Sequence, residues 1–166
     1  MFTYSFSNTD LLLNLQSKSL NEVIKVEGFK AGDDLITIAR KAPIATTDFS
    51  AYGDMVVSMQ RNLSVDLVFP LLQNSPENVK LQTWANEFQS SAYKFDGTFI
   101  TPIQGSCVDN MGNDKAVLSN GVILAIPALT RGLTVATVTW VISFEAGKIT
   151  REGAVDLSSG QTSLVI

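Results

Sequence analysis

Side chains able to do chemistry are sparse along this 166-residue chain, and their spacing suits few reactions. There is no histidine, which removes the commonest general base, the commonest metal ligand and the usual pH switch. The single cysteine, Cys107, has no imidazole to activate it and no second thiol for a disulfide or a cysteine zinc site. It reads as a buried, inert residue. Asp33 and Asp34 would suit a metal or acid–base chemistry, but they follow Gly32 and read as turn formers. Asp48, Asp54 and Asp66 match no calcium-loop spacing. Gly147-Lys148-Ile149-Thr150 resembles the end of a phosphate loop, yet Ile142 stands where its first glycine belongs. Trp84 and Trp140 offer stacking planes for a sugar or a base, but both lie on apolar faces and read as core. A glycosidase working with two carboxylates needs a deep aromatic cleft, and the aromatic 8% of this chain falls mostly on core faces. The expectation is a protein that is not an enzyme and holds no cofactor or metal.

Composition narrows the class further. Hydrophobic residues make up 45% of the chain and charged residues only 17%, with net charge −4. Mean hydropathy is +0.18. The longest apolar run, Val122 to Leu129, contains Pro127 and falls far short of the roughly 20 residues that span a bilayer, so no membrane-spanning segment is expected. Met1 to Asp10 shows neither a basic n-region nor a long apolar h-region. The apolar surplus must go into a large core, into subunit interfaces, or both. Arg40-Lys41 and Arg61 are too few to form a nucleic-acid stripe, and the acidic balance opposes counterion-release binding.

The elements that must position these residues are mostly strands. No linker, repeat or low-complexity tract divides the chain, so 1–166 reads as one domain, within the size range of single domains. Strand signals mark the apolar Leu11 to Leu15 after Ser7-Asn8-Thr9-Asp10, the alternating Glu22 to Phe29, Leu35 to Ala39 after Gly32-Asp33-Asp34, and Asp54 to Met59 with the alternating Leu63 to Phe69, these two joined as a hairpin across Gln60-Arg61-Asn62. Thr98 to Ile103 reads as a strand ending at Pro102. Asn120-Gly121 is the strongest hairpin signal, between Ala116–Ser119 and Val122–Ile126. Thr134 to Glu145 is the longest expected strand, with Ala136, Val138, Trp140, Ile142 and Phe144 on one face, and Gly147-Lys148 ending it. Its other face is β-branched and mostly uncharged, suited to a neighbouring subunit or a partly polar channel. One helix interrupts, over about residues 76–90. Ser75 is its expected N-cap, Pro76 its first position, and Leu81, Trp84, Ala85 and Phe88 its apolar stripe. The pattern predicts a mainly β protein, a β-barrel or sandwich with one flanking α-helix.

Two stretches resist that pattern. The extended loop at about 40–54 holds Pro43, Phe49 and Tyr52 without clear periodicity, and loops of that length are usually functional. It reads either as a protein contact made by exposed aromatics or as a β-hairpin of its own with Phe49 folded inward. The tail at about 152–166 is serine-rich but ends Leu164-Val165-Ile166, as a docking segment would.

In order along the chain stand Thr3-Tyr4-Ser5-Phe6, Gly32-Asp33-Asp34 with Ile36-Thr37-Ile38, a loop closed by Gly53-Asp54, and Leu71-Leu72-Gln73-Asn74-Ser75-Pro76-Glu77-Asn78 opening the helix. Thr139-Trp140 and Ala146-Gly147-Lys148-Ile149 follow. This succession resembles bacteriophage tail tube proteins, especially those of contractile-tailed phages, a fold shared with type VI secretion ring proteins. The departures are an insertion around Gly105 to Ser119 and the tail after Arg151. The resemblance implies hexameric rings of this chain stacked into a hollow helical tube. Such a tube holds the tape measure protein, contacts sheath and baseplate proteins, and passes DNA through its lumen without specific binding. It also implies assembly in the host cytoplasm and residence in the virion tail. Its early loop reaches the neighbouring ring, which makes Arg40, Lys41, Asp48, Phe49, Tyr52 and Asp54 the inter-ring contact candidates. The alternatives are a type VI secretion-like ring protein, which forms discrete hexamers, and a β-barrel ligand-binding module, which stays a monomer with an internal pocket.

Overall fold

The computed structural model describes residues 11–17, 21–29, 35–91, 103–109, 114–151, 155–156 and 163–164. The expected features at Thr3–Phe6, at Gly32-Asp33-Asp34 and over Thr98 to Pro102 lie outside these residues, as does most of the tail.

The amphipathic strands pair as their alternation requires. Strands β1 (Leu11–Ser17) and β2 (Glu22–Val26) are antiparallel, with Leu13 opposite Val26 and Leu15 opposite Ile24, all four buried. Val23 and Lys25 turn outward. Strands β3 (Thr37–Arg40), β4 (Ala45–Phe49), β5 (Met55–Met59) and β6 (Val65–Leu72) follow, then helix α1 (Glu77–Ser91), β7 (Ile103–Asp109), β8 (Lys115–Ile123) and β9 (Thr137–Thr150). Seven of these form one antiparallel sheet in the order β2-β1-β7-β8-β9-β6-β3. In the tail, β10 (Val155–Asp156) pairs antiparallel with β11 (Ser163–Leu164).

The sheet closes on itself. β3 covers only Val65 to Val68 of β6, leaving the second half of that strand free to pair again. Phe29, just after β2 at the opposite edge, bridges Leu71, and Leu72 N donates to Gly28 O at 3.0 Å. Both sheet edges thus meet on β6, which closes the sheet into a barrel. The interior is filled by side chains, including Phe69, Trp140, Ile142 and Phe144, with Phe29 edge-on to Phe69 at 6.4 Å between ring centres.

Helix α1 packs on this barrel through Leu81, Trp84 and Ala85, as the stripe predicts. Each tryptophan anchors the seam with its indole N–H, Trp84 to Glu22 Oε2 and Trp140 to Asn78 Oδ1, both at 2.9 Å. At the helix start the buried Ser75 hydroxyl donates to the buried Glu77 carboxylate, which also accepts from Glu27 N at 3.3 Å. Burial pushes the Glu77 carboxyl up. The hydrogen bonds from Ser75 and from the Glu77 and Glu27 amides, with Lys80 nearby, more than offset this and hold it below its usual value.

Three sequence expectations are corrected. β5 pairs with β4, not β6, because β6 is taken on both sides by β9 and β3. Asn120-Gly121 makes no turn: β8 runs straight through it. Asn120 takes a positive φ of 57°, and the register against β7 slips there as in a bulge. Gly121 must lack a side chain because a Cβ would lie 2.4 Å from the Phe144 ring. β9 likewise continues past Gly147-Lys148 to Thr150, with Gly147 pressed against Val65. Of the departure around Gly105 to Ser119, Gly105 to Asp109 belongs to β7 and Lys115 to Ser119 to β8, in the middle of the sheet.

Candidate self-assembly surface

Residues 42–60 leave the barrel between β3 and β6 as a separate two-stranded hairpin. Its root is held by two cations. Arg40 Nη2 donates to Gly147 O at 3.3 Å, and Lys41 Nζ lies 3.1 Å from Asp66 Oδ1 and donates to Ser143 Oγ. Arg40 thereby ties the root to β9, and Lys41 ties it to β6 and β9. Gln60 N bonds Ile44 O at 2.8 Å and closes the base. At the tip, Ser50 N donates to Asp54 O at 2.8 Å, Gly53 takes φ 89°, and Ser50 Oγ accepts from Asp54 N at 3.1 Å. Five paired residues at about 3.4 Å each set the tip about 17 Å beyond the root.

The register decides the chemistry of each hairpin face. Ala45 opposes Met59, Thr47 opposes Val57 and Phe49 opposes Met55, so these six residues share one face. Phe49 is 70% exposed, Met59 69% and Met55 58%. Tyr52 stands at the tip, 95% exposed. Asp48 lies on the opposite face across from Val56, and Asp54 closes the turn. Of the inter-ring candidates, Asp48, Phe49, Tyr52 and Asp54 sit together on the exposed hairpin, whereas Arg40 and Lys41 are separated from them at the root. The stretch forms a hairpin of its own, but Phe49 does not fold inward.

Met55, Val57 and Met59 were missed because an apolar run reads equally as a buried strand. The available signal was Tyr52-Gly53-Asp54, a turn dividing Ala45–Met59 into two arms of equal length. A second surface was missed altogether. After β8, residues 124–136 join no strand and run along α1, tied down by Gln73. The Gln73 amide donates to Thr130 O at 2.6 Å, its side-chain oxygen accepts from Ala136 N at 3.3 Å, and its backbone N–H donates to Ala136 O at 3.0 Å. Between this segment and α1 lie two consecutive grooves of about 360 and 520 Å³.

No protein-family model matches the chain, and no curated protein matches it in sequence. Solved structures do. One is a chain of the anti-feeding prophage cap, a tube-terminating cap, with TM-score 0.55 and 10% identity, covering 91% of this chain and 94% of that one. Another, from the anti-feeding prophage baseplate, has TM-score 0.50 and 12% identity over 91% and 98% of the two chains. The fold is that of phage-tail-like particle subunits. Among the described residues it is mainly β with one helix, as the sequence pattern predicts. Among the described residues no helix is long and apolar enough to cross a membrane, and none of their acidic, cysteine and histidine side chains form a metal-binding group.

Proposed function

We propose that this chain is a structural subunit of a contractile phage-tail-like particle, forming hexameric rings that stack into its inner tube. The observation that carries the reading is a closed barrel from which a hairpin projects with an apolar face in water. A monomer gains nothing from such a face, whereas an assembling subunit buries it. The fold supports the particle class, and the similar baseplate structure is six-fold symmetrised, which supports a hexameric ring. The acidic chain suits a lumen that passes DNA without holding it, since neutralised phosphates would add affinity. Tape measure, sheath and baseplate proteins are the expected partners, the virion-like tail its residence, and catalysis is no part of its role. A second reading, a terminator that ends the tube, draws on the similarity to the tube-terminating cap.

Negative-stain microscopy with sedimentation velocity on the purified chain tests the proposal. Stacked tubes are expected. Single rings that never stack favour the terminator, or a secretion-type ring. Monodisperse monomers at high concentration overturn the assembly reading and return the ligand-binding module to consideration.

A further inference from the structure

Among the described residues the chain presents an apolar hairpin without a socket and an apolar groove without an occupant, and the barrel sets them apart. β6 begins with Val65, beside the hairpin root, and ends with Leu72, beside Gln73 and the groove. Eight strand residues at about 3.4 Å put the two surfaces roughly 27 Å apart, at opposite ends of that strand. A hairpin reaching about 17 Å away from the root cannot fill its own groove.

We propose that the groove between α1 and residues 122–131 receives the β4–β5 hairpin of a second copy of this chain. The inference rests on the self-assembly reading and names the surface that accepts the hairpin. Length agrees: the helix side of the groove spans Asn78 to Gln89, about 18 Å at 1.5 Å per residue, close to the hairpin's arm. Polarity agrees: the groove offers Val79, Phe88, Ile126 and Leu129 to Phe49, Met55, Val57 and Met59. Charge agrees as well. Between Lys41 and Arg61 the hairpin carries Asp48 and Asp54 and no cation, while residues 122–138 carry Arg131 as their only charge. Arg131 lines the groove and has no ion-pair partner among the described residues. Hairpin and groove are different patches, so the contact is heterologous and propagates from copy to copy instead of closing as a two-fold dimer.

Cysteine cross-linking decides it. The one native thiol, Cys107, is buried and will not compete. In the double variant Met55→Cys with Leu129→Cys, mild oxidation of the assembled protein should give a ladder of covalent multimers. Met55→Cys mixed with Leu129→Cys, one substitution per chain, should stop at dimers. Assemblies that form without any ladder overturn the groove as the acceptor while leaving self-assembly intact. A wild-type chain that stays monomeric overturns both.

Discussion

Lys41 Nζ lies 3.1 Å from Asp66 Oδ1, tying the first residue beyond β3 to the strand that resumes the barrel after the hairpin. Both side chains are about one-third exposed, so the pair adds only about 0–1 kcal/mol to stability. Its effect is geometric. Lys41→Met should leave the melting temperature nearly unchanged while lowering the extent of assembly seen by sedimentation, because the root is freed to swing. A large drop in melting temperature would place Lys41 in fold stability instead.

Removing the hairpin should separate folding from assembly. Gln60 N already bonds Ile44 O, so the chain can be rejoined across Ala45–Met59 with a short Gly-Ser turn. The resulting protein should retain its near-ultraviolet circular dichroism and sediment as a monomer. Cutting Pro43 to Ala51 alone would strand β5 without its partner, so the whole hairpin is the unit to delete.

Gly121→Ala should cost about 1–3 kcal/mol in urea denaturation, since the new methyl meets the buried Phe144 ring at 2.4 Å. Gly132→Ala, with open space around its Cβ position, is the control and should unfold at nearly the wild-type midpoint.

The depressed Glu77 pKa makes an acid-side prediction. Its charged form is favoured in the fold, so its contribution is present above the ordinary carboxyl value of 4.5 and is lost as pH falls through the lower folded value. Glu77→Gln should therefore lower stability at neutral pH and flatten the fall of the denaturation midpoint below pH 4.5. An unchanged slope would remove Glu77 from the acid response.

Burial, with Asp109 nearby, pushes the Cys107 thiol up to about 11. An aromatic disulfide reagent should react with it at neutral pH only once the protein is unfolded in denaturant. Rapid reaction with the native protein would show that β7 opens locally.

The helix and most strands were legible because their signals are local. Ser75-Pro76 starts a helix wherever it sits, and an alternating strand such as Glu22–Val26 has the same two faces whatever it pairs with. The absence of histidine excluded its chemistries before any fold was known. Partnership is not local. Asn-Gly supplies a positive φ and a missing side chain, which serve a turn or a bulge equally well, and only the approach of Phe144 selects the bulge at Asn120-Gly121.

The same holds for the assembly surface. An apolar run such as Met55–Met59 states that the segment seeks burial but not where. β9 and β3 occupy both sides of β6, so β5 is left to pair with β4 outside the barrel, and its methionines meet water. Hydrophobicity belongs to the residue, whereas exposure depends on which neighbours have already filled the core.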